Sequence, residues 1–267
     1  MKAAARPNND ETLLRETLAD GVLRLTLNRP TARNALSVGL MGELSKALDR
    51  AAANKAARVV VIAGAGPAFC AGHDLREMRE DTSRDYYQRV FAQCSALMQQ
   101  IVHLPKPVIA EVHGIATAAG CQLVATCDLA VAAADARFAT PGVNIGLFCS
   151  TPMVALTRAV GRKAAMEMLL TGDLIDAATA KSIGLVNRVV PAAELTAASM
   201  ALALQIAGKS ALSLAIGKEA FYRQAECDLA GAYNYAAEAM TTNMLARDAA
   251  EGIDAFLAKR PPVWQDA

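Results

Sequence analysis

Two segments of this 267-residue chain carry residue types that could hold a developing negative charge. The first is "PAFCAGHDLREM" (67–78). In it a glycine follows an apolar run, and a polar helix start follows the glycine. Gly72 tolerates a positive φ, so the peptide N–H of His73 can turn out of the loop. The second is "GIATAAGCQL" (114–123), where small residues lead from a strand into a helix. The N–H groups of a first helical turn have no intrahelical partner and carry the positive end of the helix dipole. Two such N–H groups converging on one point would stabilise the oxygen of a carbonyl that acquires negative charge. Each segment alone is a weak signal, because a small-residue strand-to-helix turn is more often a packing solution than a site.

The elements that must position these segments are legible as patterns. "VLRLTLNRP" (22–30) alternates apolar and polar residues and reads as a strand ending at Pro30. "SVGLMGELSKALDRAAAN" (37–54) has apolar residues at helical spacing behind Ser37, a good N-cap. "RVVVIAGAG" (58–66) is a short apolar run closed by glycines and reads as a buried parallel strand. A helix is expected over 85–101, a strand over 106–114, a helix over 118–128, and a strand and turn over 129–140. Helices are expected again over 151–161 and 162–172. Strands alternating with helices predict an α/β fold with parallel pairing. From about residue 192 the strand signal disappears. The chain therefore divides into a core over 1–191 and a helical appendage over 192–267, with residues 1–12 polar and frayed.

Composition narrows the partners. The formal net charge is +1, which offers nucleic acid no basic surface. No run of about 20 apolar residues exists, so no membrane span is expected. The N-terminus lacks the apolar core of a secretory signal and reads at best as a weak organelle-targeting peptide. The six cysteines form no C-x-x-C pair, and the three histidines lack zinc-ligand spacing, so no metal site is expected. Cysteines set among Ala, Leu and Val read as reduced buried thiols of a cytoplasmic protein.

"NRPTARNALS" (28–37), "GAGPAFCAGHDL" (64–75), "KPVIAEVHGIATAAGCQLVATCDLAVA" (106–132) and "LTGDLIDAATAKSIGLVNRVVP" (170–191), in this order, resemble the crotonase (enoyl-CoA hydratase/isomerase) superfamily. The closing "EGIDAFLAKRPPVWQ" (251–265) resembles its C-terminal end. "AAGCQL" with "FATPGVNIGLFCSTP" is more similar to one divergent branch than to the true hydratases. The resemblance implies a crotonase (ClpP-like) fold, a spiral of ββα units with a C-terminal helical trimerisation region. It implies an acyl-CoA thioester as ligand, with coenzyme A as part of the substrate and no permanently bound cofactor. The protein would be a homo-oligomer, a trimer or a dimer of trimers. By position, the two oxyanion-hole amides are those of His73 and Ala119, with Gly120 beside them. Coenzyme A contacts fall on Arg33, Ala35, Ala71, Gly72, Asp74 and Leu75. Lys259 would reach the phosphates of a coenzyme A bound mainly to a neighbouring subunit.

The chain departs from the family where acids are expected. Gln122 and Gly142 stand at the positions of the two catalytic glutamates, and Asn144 at that of an aspartate used by a related isomerase branch. An amide can orient water but cannot take a proton at working pH. Gln122 and Asn144 are thus the sharpest side-chain candidates, against the plainer reading of two polar residues in a wet pocket. Ala118 and Ala119 replace the usual glycines, which the amide hole tolerates if φ at these positions is negative.

Other residues have plainer readings. The His73 imidazole is expected to face solvent or the adenine, leaving only its N–H at work. His113 and Asp128 read as structural hydrogen-bonders, and His103 as a surface loop residue. Cys149 has no base beside it and reads as an inert thiol. Asp74, Glu77 and Glu80 fit a helix start. The expected function is an acyl-CoA thioester-binding enzyme, with weak hydratase activity or none. The alternatives are a non-catalytic acyl-CoA-binding or regulatory protein, and an RNA-binding protein, which the balanced charge disfavours.

Overall fold

The computed structural model describes residues 12–267, so the frayed segment expected over 1–12 falls almost wholly outside the described residues. β1 (Leu14–Ala19) and β2 (Val22–Leu27) form an antiparallel hairpin turned by Asp20 and Gly21, both at positive φ. β1 was not expected, because "LRETLA" exposes all but its first residue and lacks an apolar face. A 3-10 turn over Pro30–Ala32 leads to α1 (Val38–Ala53), whose N-cap Ser37 accepts from the Leu40 N–H as the sequence predicts. Then come β3 (Val59–Gly64), α2 (Leu75–Glu80), α3 (Arg84–His103), β4 (Val108–Val112), β5 (Ile115–Thr117) and α4 (Ala119–Thr126). β6 (Leu129–Ala133) and β7 (Arg137–Ala139) precede a 3-10 turn over Pro141–Ile145. α5 (Ser150–Ala159), α6 (Arg162–Thr171), β8 (Ile175–Asp176), α7 (Ala177–Ser182) and β9 (Arg188–Val190) complete the strand-bearing part. The chain ends in α8 (Leu195–Ala207), α9 (Ala211–Gln224), α10 (Leu229–Met244) and α11 (Arg247–Leu257).

The main sheet has six strands in the order β1-β2-β3-β4-β6-β9, all parallel except β1. A second sheet, β5-β7-β8, stands beside it. Strand alternation sends two sets of side chains to opposite faces. Leu25, Ile62, Ala110 and Ala132 join the larger core with Leu44 of α1, Leu97 of α3 and Leu123 of α4. Val22, Val61, Ile109 and Val131 face the other way and pack on Leu195, Leu202 and Ala203 of α8. The all-helical stretch that begins near residue 192 therefore starts inside the core, since α8 covers the outer face of the sheet. α9, α10 and α11 lie beyond it and leave Phe221, Leu229, Tyr233, Leu245 and Phe256 exposed. Among the described residues no single helix is long and apolar enough to cross a membrane.

One charge is buried between sheet and α8. Glu111 of β4 is 3% exposed and takes a bidentate pair from Arg24 of β2, at 2.6 and 2.5 Å. Thr196 donates to it at 3.0 Å, and the Ser199 hydroxyl donates as well. Burial pushes the carboxyl up, but Arg24 and the two hydroxyls more than offset this and hold it below the ordinary value. A depressed carboxyl contributes stability that is full above the unfolded pKa, 4.5, and lost as pH falls through the lower folded value. Glu111→Ala is expected to cost about 3 kcal/mol at pH 7 in urea unfolding, because Arg24 is left with an uncompensated charge. The gap between wild type and variant should narrow as pH falls below the unfolded value.

Candidate functional site

The segment from Cys70 to Asp74 is a ribbon held on both edges. On one edge the Cys70 N–H donates to Ile115 O at 3.1 Å, and the Thr117 N–H donates to Cys70 O at 3.0 Å. On the other edge the Ala71 N–H donates to Arg33 O, the Leu36 N–H to Gly72 O and the Asp74 N–H to Leu36 O. The last two bonds make a parallel bridge between Leu36 and His73, so residue 73 turns its own N–H away from Leu36. Gly72 has φ +97°, the backbone that the sequence asked of it.

Helix α4 begins against this ribbon. A Cβ added at Gly72 would lie 2.9 Å from the Ala118 Cβ and 3.3 Å from the Ala119 nitrogen. One added at Gly120 would lie 2.1 Å from the Cys70 carbonyl oxygen, so only glycine permits this approach. Gly72, His73, Ala119 and Gly120 are thus brought together. Among the described residues the N–H groups of His73 and Ala119 have no hydrogen-bond partner. The expectation of negative φ holds at Ala119, which is helical, and fails at Ala118, which sits at φ +49°, ψ −118°. That backbone is nearly reserved for glycine and costs an alanine about 1–3 kcal/mol. It is held by the Ala118 N–H donating to Ala139 O and by Ala118 O accepting from Gln122 N–H, each at 2.9 Å.

Two residues that the sequence reading passed over pin this arrangement. Asn34 is fully buried, and its Nδ2 donates to Ala65 O and Ala68 O at 2.9 and 2.7 Å. Arg29 donates to Ala35 O at 2.6 Å and to Asp74 at 2.8 Å. An asparagine, a residue type that visits positive φ readily, was the available signal for the first, and it is found at φ +54°. Nothing local marks the second, whose partners lie in other segments.

The remaining candidates divide. Arg33 is exposed beside Ala71, and Leu75 is 50% exposed at the start of α2. The Ala35 carbonyl is already taken by Arg29. Asp74 caps α2 and pairs with Arg29; burial pushes its carboxyl up, but these partners hold it below the usual range. Glu77 accepts from the Val38 N–H, so it too is engaged. Lys259 follows α11 at positive φ, remote in sequence from these loops and exposed.

At the positions where the resemblance leads one to expect acids, Gln122 is 4% exposed, with Oε1 3.9 Å from the Cys94 sulfur. It also borders a cavity of about 1000 Å³. The space beside Gly142 is filled: an added Cβ would lie 2.9 Å from both the Cys149 sulfur and the Leu147 carbonyl oxygen. Asn144 does not join Gln122. It is exposed, and its amide nitrogen lies over Gly172, 3.1 Å from where a Cβ would stand.

The His73 ring differs from expectation. It does not face solvent: it stands edge-on to Phe91 of α3 with centroids 5.6 Å apart, and both ring nitrogens are buried without a hydrogen-bond partner among the described residues. Burial lowers its pKa below 6.5, and the nearby Leu36 carbonyl counters this only in part. Cys149 caps α5, and burial raises its thiol, consistent with an inert sulfur. His113 bonds the Gly66 carbonyl at 2.7 Å, and Asp128 accepts from Val108 N–H, Lys218 and Tyr222, so both are structural. His103 is the exposed last residue of α3 rather than a loop residue.

Known proteins share this arrangement of chain. Residues 17–267 match the enoyl-CoA hydratase/isomerase family. Human enoyl-CoA hydratase domain-containing protein 3, mitochondrial, is 49% identical over 92% of this chain and 81% of its own. The crystal structure of an enoyl-CoA hydratase from Mycobacterium smegmatis is 54% identical, covers 95% of this chain and 99% of its own, and superposes with a TM-score of 0.93. That of the human domain-containing protein 3 is 48% identical, covers 95% and 100%, and superposes with a TM-score of 0.92. The human, mouse and rat relatives are all named mitochondrial, which overturns the cytoplasmic location expected from composition. The chain belongs to the enoyl-CoA hydratase/isomerase (crotonase) family, on the branch of enoyl-CoA hydratase domain-containing protein 3.

Proposed function

We propose that this protein binds acyl-CoA thioesters with the thioester oxygen between the N–H groups of His73 and Ala119. The observation that carries the reading is the pair of unpartnered N–H groups on two segments stitched together by main-chain bonds. Donors fixed in place before the ligand arrives stabilise charge without reorganising. The dipole of α4 adds to this at Ala119. Coenzyme A then runs over the mouth formed by Arg33, Ala35, Ala71, Asp74 and Leu75, with the exposed Arg33 guanidinium placed to meet a phosphate. Lys259 supplies a further cation if a second copy of the chain lies alongside. The exposed apolar side chains of α9, α10 and α11 support a homo-oligomer, trimer or dimer of trimers.

Bond-making at the carbons beside the carbonyl is another matter. Gln122 cannot take a proton, the space at Gly142 is occupied, and Asp74 and Glu77 are engaged elsewhere. These observations favour a second reading beside the enzymatic one, a protein that binds acyl-CoA without turning it over. A positioned acid or base contributes about 10²- to 10⁴-fold. Acetyl-CoA and butyryl-CoA are therefore expected to bind in calorimetry. Crotonyl-CoA should lose its conjugated absorbance at least about 10³-fold more slowly than with a hydratase that has both glutamates. Gln122→Glu should raise that rate, whereas Gly142→Glu alone should not, because Cys149 and Leu147 occupy the space. Ordinary hydratase turnover by the wild-type chain would contradict this reading.

The role given to His73 is a main-chain one, and its buried ring permits a separate check. A histidine whose folded pKa is lowered leaves the unfolded chain binding more protons as pH falls below 6.5, so stability is lost over that fall. His73→Phe keeps the N–H and removes two orphaned nitrogens, each costing about 1–3 kcal/mol. Thermal melts from pH 8 to 5 should show a more stable variant whose acid loss is smaller, with butyryl-CoA affinity retained within about threefold. Loss of butyryl-CoA binding in a folded variant would make the imidazole itself part of the site.

A further inference from the structure

Ala118 carries a methyl on a backbone that suits glycine, and its dihedral angles fix where that methyl points. In an L-residue the Cβ stands about 120° from the backbone nitrogen around the Cα–C bond. At ψ −118° that rotation brings the Ala118 Cβ almost into eclipse with the nitrogen of Ala119. A trans peptide puts the Ala119 N–H on the same side as the Ala118 Cα. Methyl and N–H therefore run side by side into the same space. The contact at Gly72 agrees, since a Cβ added there would lie 2.9 Å from the Ala118 Cβ.

The two donors of the hole then differ. The residue before His73 is Gly72, so no methyl stands beside the His73 N–H. At Ala119, an oxygen in line with the N–H at hydrogen-bond length would lie roughly 2.5 Å from the Ala118 methyl carbon, against an ordinary C···O approach of about 3.3 Å. The oxygen must leave the N–H axis by roughly 20–30°, which bends the bond without breaking it. A charged oxygen loses more by this than a neutral one, because charge-assisted bonds are the shorter and stronger ones.

We propose that Ala118 is a positioning residue: acting through the Ala119 N–H, its methyl tunes the hole to hold a thioester in preference to the enolate of that thioester. The inference rests on the thioester oxygen lying at His73 and Ala119, and adds how that site is regulated. Ground-state binding is kept, while the stabilisation that would speed proton loss at the carbon beside the carbonyl is reduced. The backbone strain at Ala118 has a function on this account.

Acetoacetyl-CoA tests the proposal. Its enolate forms by loss of the C2 proton to the buffer, so no base from the protein is needed, and the electron pair left behind is shared onto the thioester oxygen. The enolate is followed by its ultraviolet absorbance. Ala118→Gly suits the positive φ, so the variant should fold and melt at a higher temperature than the wild type. Titrated across neutral pH, the bound enolate-to-keto ratio should be about tenfold higher in Ala118→Gly, a fraction of what a whole oxyanion donor supplies. Butyryl-CoA affinity in calorimetry should rise only about threefold. An enolate ratio equal in the two proteins would overturn the proposal. Equal gains for the enolate and for butyryl-CoA would overturn it too, because the methyl would then be a plain steric wall. Failure of both thioesters to bind either protein would remove the thioester reading itself.

Discussion

The site depends on how closely the first turn of α4 approaches the Cys70–Asp74 ribbon. That approach is set by an absence of atoms: no Cβ at Gly120 against the Cys70 carbonyl, and none at Gly72 against Ala118. Once the two segments meet, the peptide planes are not free. Bonds from Ile115, Arg33 and Leu36 fix the ribbon, and among the N–H groups left unbonded are that of His73 on one side and that of Ala119 on the other. The strained backbone of Ala118 belongs to the same constraint, because the chain must reverse sharply between β5 and α4 to bring that nitrogen forward. An unfavourable φ at an alanine persists only where its surroundings determine it. The surroundings here are the β5-β7 sheet on one side and Gly72 on the other.

On the proposed reading, packing as well as residue identity keeps acid–base chemistry from this region. Had only side-chain identity changed, a glutamate at position 142 would find room. Instead the chain after the Pro141–Ile145 turn brings Cys149 and Leu147 into that space, and Cys149 is held there as the N-cap of α5. Gln122 keeps its place, buried between Cys94 and the cavity. Of the surface acids nearby, Asp74 is tied to Arg29 and Glu77 to the first turn of α1. On the proposed reading, the donor pair sits beside Gln122 and Gly142, neither of which gives or takes a proton.

Much of this was legible in the sequence, for identifiable reasons. Gly72, the 114–123 turn, the Ser37 cap and the buried strand at 59–64 are local features, and local rules found them. Asp128 and His113 were placed rightly as structural. The edge strand β1 escaped because every residue after its first is exposed, so no apolar face marks it, and β5, β8 and β9 because two or three residues carry no period. The positive φ at Ala118 could not be read from an alanine. Neither could the filling of the Gly142 space, since it depends on a contact seven residues away. The helical stretch after residue 192 misled in a different way: its composition is uniform, but α8 buries an apolar face on the sheet while α9 to α11 do not. His73 was read by its backbone, and the inward turn of its ring against Phe91 is a tertiary event.

The central claim is that two fixed main-chain donors share one thioester oxygen. Isotope-edited infrared difference spectroscopy of butyryl-CoA carrying ¹³C at the thioester carbonyl reports on that oxygen alone. Two strong donors weaken the C=O bond, so its stretch should move to lower frequency on binding than in water. A bound thioester whose carbonyl stretch matched that of the free ligand, or rose as in an apolar solvent, would contradict the account.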